Sequence, residues 1–148
     1  MMVRHLLIFL LGISLFMACA EEPDCDLEGA RDELIVKFYN EDDSAALEVE
    51  ILKLEALGGD SVFYVIDTTQ TYVLPLNPIA NEVTYLFRTR SARDTLSVKY
   101  KKEIEWISES CGPSYVFSEL EIISTTFEAD LISSQIDNSV DENISIYY

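Results

Sequence analysis

Histidine is almost absent from this chain of 148 residues, because its only copy, His5, lies near the beginning. Serine–histidine and cysteine–histidine catalysis need an imidazole base, and protein zinc and iron sites commonly use imidazole ligands. Beyond His5 the chain has no imidazole for such a site, and we expect no catalytic residues, no metal and no cofactor. Basic residues are also scarce: 10 Lys and Arg stand against 27 Asp and Glu, for a formal charge of −17. This charge repels nucleic acid and excludes it as a partner.

Residues 1–18 have the pattern of a signal peptide. One arginine, Arg4, precedes an apolar stretch that continues to Met17 and is too short to remain as a membrane-spanning helix. Removing this segment would leave 130 of the 148 residues, enough for one domain with a hydrophobic core. The formal charge would then be −18, because the segment contains one arginine and no acidic residue.

The residues at the end of this segment are Leu15-Phe16-Met17-Ala18-Cys19. A leucine four positions before a cysteine, with a small residue directly before it, resembles the lipobox of bacterial lipoproteins. The resemblance implies cleavage after Ala18 and acylation of the sulfur and the amine of Cys19. Because two or more acyl chains give stable anchoring, such a protein would be held at a membrane.

Two cysteines, Cys25 and Cys111, follow Cys19. An exported protein meets an oxidising compartment, where an even number of cysteines indicates a disulfide. Two buried free thiols or a metal site are the alternatives, and two thiolates without a histidine make a poor metal site. A disulfide would close a loop of about 85 residues and stabilise the fold by about 4–5 kcal/mol in the chain-entropy model.

From residue 34 onward, apolar and polar residues alternate with the period of β-strands. The alternation is clear over residues 34–39, 72–76, 83–87 and 95–109, it continues over residues 115–123 with a shift of parity near Ser118, and residues 144–148 add a candidate closing strand. Residues 62–66 also indicate a strand, because they are rich in valine, isoleucine and aromatic residues. Turn-forming residues, such as Gly58-Gly59-Asp60, separate these segments. The pattern predicts an all-β fold, a single antiparallel β-sandwich of about seven to eight strands, Ig-like or transthyretin-like. We expect residues 34–148 to form this domain and residues 19–33 to form a lipidated acidic tether.

Three segments carry more detailed predictions. Residues 47–57 have good helix propensity, but their apolar positions spread around a helical wheel, so we favour a strand with a β-bulge after Ile51. Pro75 lacks an N–H group, which places the strand at residues 72–76 at a sheet edge. Residues 95–109 form either one long strand or two strands joined near Lys102.

The order of these features resembles a family of small lipoproteins from Bacteroidetes whose domain has no known function. The resemblance rests on the lipobox, Asp24-Cys25-Asp26-Leu27-Glu28, residues 34–39, Leu74-Pro75-Leu76-Asn77, residues 94–100 and Ser110-Cys111-Gly112. It implies a β-rich fold, supports pairing of Cys25 with Cys111 and assigns no catalytic residue.

Two further patterns resemble features of the same bacteria. The acidic residues after Cys19 look like the signal that sends lipoproteins to the outer face of the outer membrane, and a solvated linker is the alternative. An aspartate precedes each of Ser44, Ser61, Thr68 and Thr95, as in the Asp-Ser/Thr-apolar pattern for O-glycosylation. Asp-Ser and Asp-Thr also favour turns for hydrogen-bonding reasons alone, so both interpretations stay open.

Basic residues concentrate in one part of the chain. The set is Arg88, Arg90, Arg93, Lys99, Lys101 and Lys102. It could form a patch for an anionic ligand or an acidic partner. We favour a strand pair whose charges are balanced by Glu103, Glu105 and Glu109.

Three other groups favour structural interpretations. Residues 40–44 carry oxygen ligands for calcium but lack the spacing of an EF-hand, which favours a solvated turn. Aromatic residues at one strand parity could form a platform for sugars, but core positions are commoner. These aromatics are Tyr100, Trp106, Tyr115 and Phe117. Glu103 and Glu105 permit a glycosidase-like carboxylate pair, although such pairs are common on solvated strands.

The sequence as a whole predicts a lipid-anchored lipoprotein of the outer membrane, exposed at the cell surface. We expect a non-enzymatic binding or accessory module whose partner is an envelope protein or a glycan. A periplasm-facing structural component of an outer-membrane assembly is the first alternative, and a small hydrolase is the second.

Overall fold

A computed structural model describes Cys25 and residues 31–57, 62–63 and 67–148. Residues 1–18, the predicted lipidation residue Cys19 and most of the expected tether lie outside the described residues. So do the predicted turn at residues 58–60 and Ser61. The described residues contain no helix that is long and apolar enough to cross a membrane.

The described residues form eleven strands, which confirms the all-β prediction. Their bounds are β1 Glu33–Tyr39, β2 Val49–Ile51, β3 Lys53–Leu57, β4 Val62–Phe63, β5 Asp67–Thr69, β6 Thr71–Pro75, β7 Glu82–Arg88, β8 Arg93–Ser108, β9 Gly112–Thr125, β10 Glu128–Leu131 and β11 Ile144–Tyr147. The number exceeds the expected seven to eight because several predicted strands are interrupted and β10 was not anticipated.

Two larger sheets enclose one hydrophobic core, as expected for a β-sandwich. One sheet has the order β10-β11-β1-β6, the other has the order β4-β3-β7-β8-β9, and β2 and β5 form a short separate pair. Side chains of alternating parity fill the space between the sheets, and Phe38 of β1 meets Phe87 of β7 edge-to-face with ring centroids 6.0 Å apart. Such contacts join the two layers.

Residues 47–57 are extended, which confirms the strand prediction and excludes the helix. The strand breaks at Leu52: β2 pairs with β5, whereas β3 joins the five-stranded sheet through β7. The predicted shift of parity is therefore the point where the chain passes from one sheet to another. Pro75 ends β6, and β6 lies at an edge of the four-stranded sheet, as the missing N–H group required.

The four-stranded sheet departs from a purely antiparallel arrangement, because β11 runs parallel to β1. Asn143, which is fully buried, fixes this junction. Its side-chain Oδ1 accepts a hydrogen bond from the N–H of Ile35 at 2.8 Å, and its own N–H donates to the carbonyl of Ile35 at 2.8 Å. The side-chain amide also donates to the carbonyl of Gln135 at 2.7 Å. Alternation could not reveal this buried polar residue.

The β8–β9 hairpin is the longest feature of the fold, with strands of 16 and 14 residues. β8 is one strand with register irregularities, including one between Lys99 and Lys101. In β9, Glu119 has a positive φ of 54°, and the buried positions shift from Phe117 to Leu120. This confirms the parity change predicted near Ser118, because the bulge turns the next side chains back to the core.

Candidate functional site

The outer half of the β8–β9 hairpin, residues 101–118, is called the arm. On its inner face, which continues the core-facing side of β8, Ile104 is opposite Tyr115 and Trp106 is opposite Pro113. Ile104 and Trp106 are both 67% exposed and Tyr115 is 43% exposed. The inner face from Ile104 to Tyr115 is therefore apolar by pattern and exposed among the described residues.

The base of the arm is closed by the loop that follows β6. Tyr100 is buried, and its hydroxyl accepts from the N–H of Asn77 at 2.8 Å and donates to the Asn77 carbonyl at 3.0 Å. Burial raises the pKa of Tyr100. Lys102 donates to the carbonyls of Pro78 and Ile79, each at 2.8 Å. The sandwich thus ends at Lys102, and the arm extends beyond it.

The tip of the arm is joined to the N-terminal part of the chain. Cys111 forms a disulfide with Cys25, with the two Cα atoms 5.3 Å apart. This confirms the predicted pairing and excludes the alternatives of free thiols and a metal site. Ser108 accepts from the N–H of Cys111 at 3.1 Å, and Gly112 takes a positive φ of 75°, which closes the turn.

The end of the expected tether also docks on the domain. Arg31 donates to the carbonyl of Val140 at 3.0 Å, and the carbonyl of Asp32 accepts from the N–H of Leu76 at 2.8 Å. A cleft of about 590 Å³ lies here, lined by Cys25, Arg31, Ile35, Val73, Tyr115 and Phe117 among others. Residues 26–30, which connect two of the lining residues, lie outside the described residues. We therefore assign no ligand to this cleft.

The four aromatics predicted to be core residues divide into two pairs. Tyr100 and Phe117 are buried and meet edge-to-face with ring centroids 5.5 Å apart. The prediction is wrong for Trp106 and Tyr115, which are exposed on the inner face of the arm. Strand parity assigned them to the correct face, but no second layer of the described residues covers that face beyond Lys102. Their exposure is the feature that the sequence did not reveal.

Five of the six basic residues have ion-pair or hydrogen-bond partners among the described residues. Their partners are Glu55 for Arg88 at 4.0 Å, Glu50 for Arg90 at 2.9 Å, Glu121 for Lys99 at 4.0 Å and Glu103 for Lys101 at 2.7 Å, while Lys102 binds carbonyls. Arg93, at the start of β8, has no ion pair within the described part of the chain. Of the three acids expected to balance the set, Glu103 pairs, whereas Glu105 and Glu109 form no ion pair in the described structure. The balance comes mainly from acids on neighbouring strands.

The candidate O-glycosylation sites occupy different surroundings. Ser44 is exposed in the turn after β1, and Thr68 is exposed in β5. Thr95 is half-buried within β8, where it pairs with Leu86 of β7. Ser44 and Thr68 are therefore accessible to a modifying enzyme, whereas Thr95 is held in a central strand and Ser61 lies outside the described residues.

The acidic turn at residues 40–44 uses its oxygens on its own backbone. Asn40 accepts from the N–H of Asp42 at 2.8 Å, and Asp43 accepts from the N–H of Ala45 at 3.1 Å. These side chains form the solvated turn that we favoured. No group of three or more potential metal ligands occurs within the described ranges.

Carboxylates in the described structure do not form an obvious acid–base pair. Glu103 and Glu105 lie on the exposed outer face of the arm, and neither lines the cleft. Glu142 accepts hydrogen bonds from the Tyr39 hydroxyl at 2.8 Å and from the Ser145 hydroxyl at 2.6 Å. Partial burial and then the bond to Glu142 raise the pKa of Tyr39 to about 12. This cluster connects β1 to the segment before β11.

Comparisons with known proteins identify a domain and no function. A family model described as "Family of unknown function (DUF6452)" matches residues 49–148. No curated protein matches the chain, and no solved structure matches it. The matched range contains both strands of the arm and Cys111, but not Cys25.

Proposed function

We propose that this chain, which belongs to the DUF6452 family of unknown function, is a lipid-anchored protein of the cell envelope. It acts as a non-enzymatic binding or accessory module. The signal-peptide pattern of residues 1–18 supports export, and the lipobox resemblance at Cys19 supports acylation. The acidic residues after Cys19 support an outer-membrane location with the domain at the cell surface, as in the Bacteroidetes lipoproteins that the sequence resembles.

The observation that carries this proposal is the disulfide between Cys25 and Cys111. Cys25 follows Cys19 by six positions, and six residues span at most about 20 Å when fully extended. An acylated Cys19 therefore holds the domain by the tip of its arm and not through a long stalk. This arrangement presents the sandwich to the surroundings with one end toward the membrane.

The partner of the module is an envelope protein or a glycan. A formal charge of −17 disfavours polyanions, and the chain has no histidine beyond His5 for imidazole-based catalysis. Glu103 and Glu105 would be the carboxylates of a hydrolase, but both are solvated on the outer face of the arm. These features favour binding over catalysis.

The anchor is tested by replacing its cysteine. Cells expressing the full chain or the Cys19→Ala variant are separated into soluble and membrane fractions, and the protein is detected in each. We expect Cys19→Ala to move to the soluble fraction. Cys111→Ser is the matched control, because it removes a cysteine and the disulfide but leaves the acylation site, and it should stay with the membrane. Retention of Cys19→Ala in the membrane fraction would contradict the anchor.

The side of the membrane is tested by protease treatment of intact cells, with a periplasmic protein and lysed cells as controls. Cleavage on intact cells supports surface display. Protection until lysis supports the alternative, a periplasm-facing component of an outer-membrane assembly.

A further inference from the structure

The inner face of the arm has the composition of a surface that contacts a lipid–water interface. Trp106 and Tyr115 have amphipathic rings, which favour the boundary between water and hydrocarbon, and Ile104 lies between them on the same face. Ile79, which is 89% exposed, lies at the base of the arm, where its carbonyl binds Lys102. Soluble proteins rarely gather such residues on one open face without a use.

On the arm itself, charge is distributed so that this face can approach lipid, while Asp32 and Glu33 line the cleft beside Tyr115. Glu103 and Glu105 alternate to the opposite face of β8, where Glu103 pairs with Lys101 at 2.7 Å. The inner-face positions of the arm are Lys102, Ile104, Trp106, Pro113, Tyr115 and Phe117, which include no carboxylate. Lys102, the only charged residue among these positions, lies 6.0 Å from the ring centroid of Tyr115. A long basic side chain at the edge of an apolar surface can keep its charge in water.

The position of the arm favours a membrane as the occupant of this face. Its tip is bonded to Cys25, which is six positions after Cys19, so the backbone of a lipidated Cys19 lies within about 20 Å of Cys25. The part of β8 that lies in the arm, residues 101–108, spans eight residues, about 26 Å at strand rise, so Ile104 and Trp106 are within reach of the same bilayer. A solvent-facing partner site would be expected at the end of the domain away from the anchor.

We propose that the inner face of the arm docks on the membrane interface, so that Ile104, Trp106 and Tyr115 form a second membrane contact beside the lipid. This inference rests on the lipid anchor proposed above and adds to it an orientation. The lipid holds the chain at the membrane, and the arm sets how the sandwich stands on it.

The chain contains one tryptophan, Trp106, so its fluorescence reports on the arm alone. The full acylated chain is reconstituted into phosphatidylcholine vesicles, and flotation measures whether it is anchored. Trp106 emission is then recorded with brominated phosphatidylcholine in the bilayer and, separately, with aqueous iodide. We expect quenching by the brominated lipid, protection from iodide and a shift of the emission to shorter wavelength than in the Cys19→Ala protein without vesicles.

Paired substitutions distinguish docking from simple proximity to the bilayer. Ile104→Ser with Tyr115→Ser removes two apolar contacts while leaving the reporter, and we expect loss of lipid quenching with flotation retained. Ile123→Ser is the matched control, because Ile123 is an isoleucine of β9 that is 52% exposed outside the arm. It should leave lipid quenching unchanged.

Each other outcome rejects the docking proposal in a recognisable way. Flotation with Trp106 open to iodide and insensitive to brominated lipid means that the anchor holds and the arm does not dock. Protection of Trp106 from both quenchers means that protein covers the face, either a second copy or residues 26–30 of the same chain. Failure of the full acylated chain to float means that the anchor itself is wrong, and docking falls with it.

Discussion

The two halves of β8 follow the same alternation but end in different surroundings. In the inner half, Leu96 and Val98 are fully buried, whereas in the arm Ile104 and Trp106 are 67% exposed. The apolar residues of both halves face the same side of one hairpin. Between them, the side chain of Lys102 donates hydrogen bonds to two carbonyls of the loop after β6, which covers the end of the sandwich. Alternation therefore indicates which face of a strand is apolar, and the opposing layer decides whether that face belongs to a core or to a contact surface.

The largest expected effect comes from releasing the tip of the arm. In the Cys25→Ser, Cys111→Ser double variant, the chain-entropy model gives a loss of about 4–5 kcal/mol in the free energy of unfolding, because the bond closes a separation of 86 residues. Urea unfolding of the oxidised and variant proteins measures it. Hydrogen exchange should increase first in residues 101–118. A loss of protection that begins in the inner half of β8 would erase the distinction between the halves.

Alanine substitutions in the two halves test the comparison directly. Leu96→Ala should lower the free energy of unfolding by about 2–5 kcal/mol, since it leaves a cavity in the core. Ile104→Ala should change it by less than about 0.5 kcal/mol, because the removed atoms are already in contact with water. Chemical denaturation of both variants provides the measurement. Equal losses would show that the inner face of the arm is covered within the protein.

The smallest effect is a pH dependence that belongs to the inner half. Burial raises the pKa of Tyr100 above its ordinary value, so the folded protein holds this proton more tightly than the unfolded chain does. The resulting stability is present below about pH 10, the ordinary tyrosine pKa, and is lost as the pH rises above it. Tyr100→Phe should reduce the decline in unfolding midpoint between pH 9 and 11. An unchanged decline of the unfolding midpoint would show that Tyr100 does not cause this pH dependence.

Much of the sandwich could be predicted from the sequence because local chemistry dictated it. Alternation located the buried faces of β1, β6 and β7, and Pro75 placed β6 at an edge because a missing N–H group cannot serve a central strand. The disulfide that the structure confirms was supported by the oxidising compartment expected for an exported protein and by the family resemblance. Each of these inferences depends on residues close in sequence or on a single pairing.

The remaining features depend on which elements meet across the chain. The parallel pairing of β11 with β1 rests on Asn143 and Ile35, whose contact spans 108 positions. Asn143 looks like an ordinary polar loop residue in the sequence. The exposure of Trp106 depends on where the loop after β6 ends, which no pattern within β8 encodes. The candidate surface could therefore be located on the correct face, but its openness could not be foreseen.

The central position of β11 has a consequence for how the protein is made. β11 lies between β10 and β1, so the four-stranded sheet lacks an interior member until Ile144–Tyr147 are available. Closing a contact across more than a hundred positions costs loop entropy and slows folding. After β1 and β6 have been synthesised, their sheet therefore stays incomplete until β11 follows. The four-stranded sheet is therefore completed only after β11 has been synthesised, when its other three strands already exist.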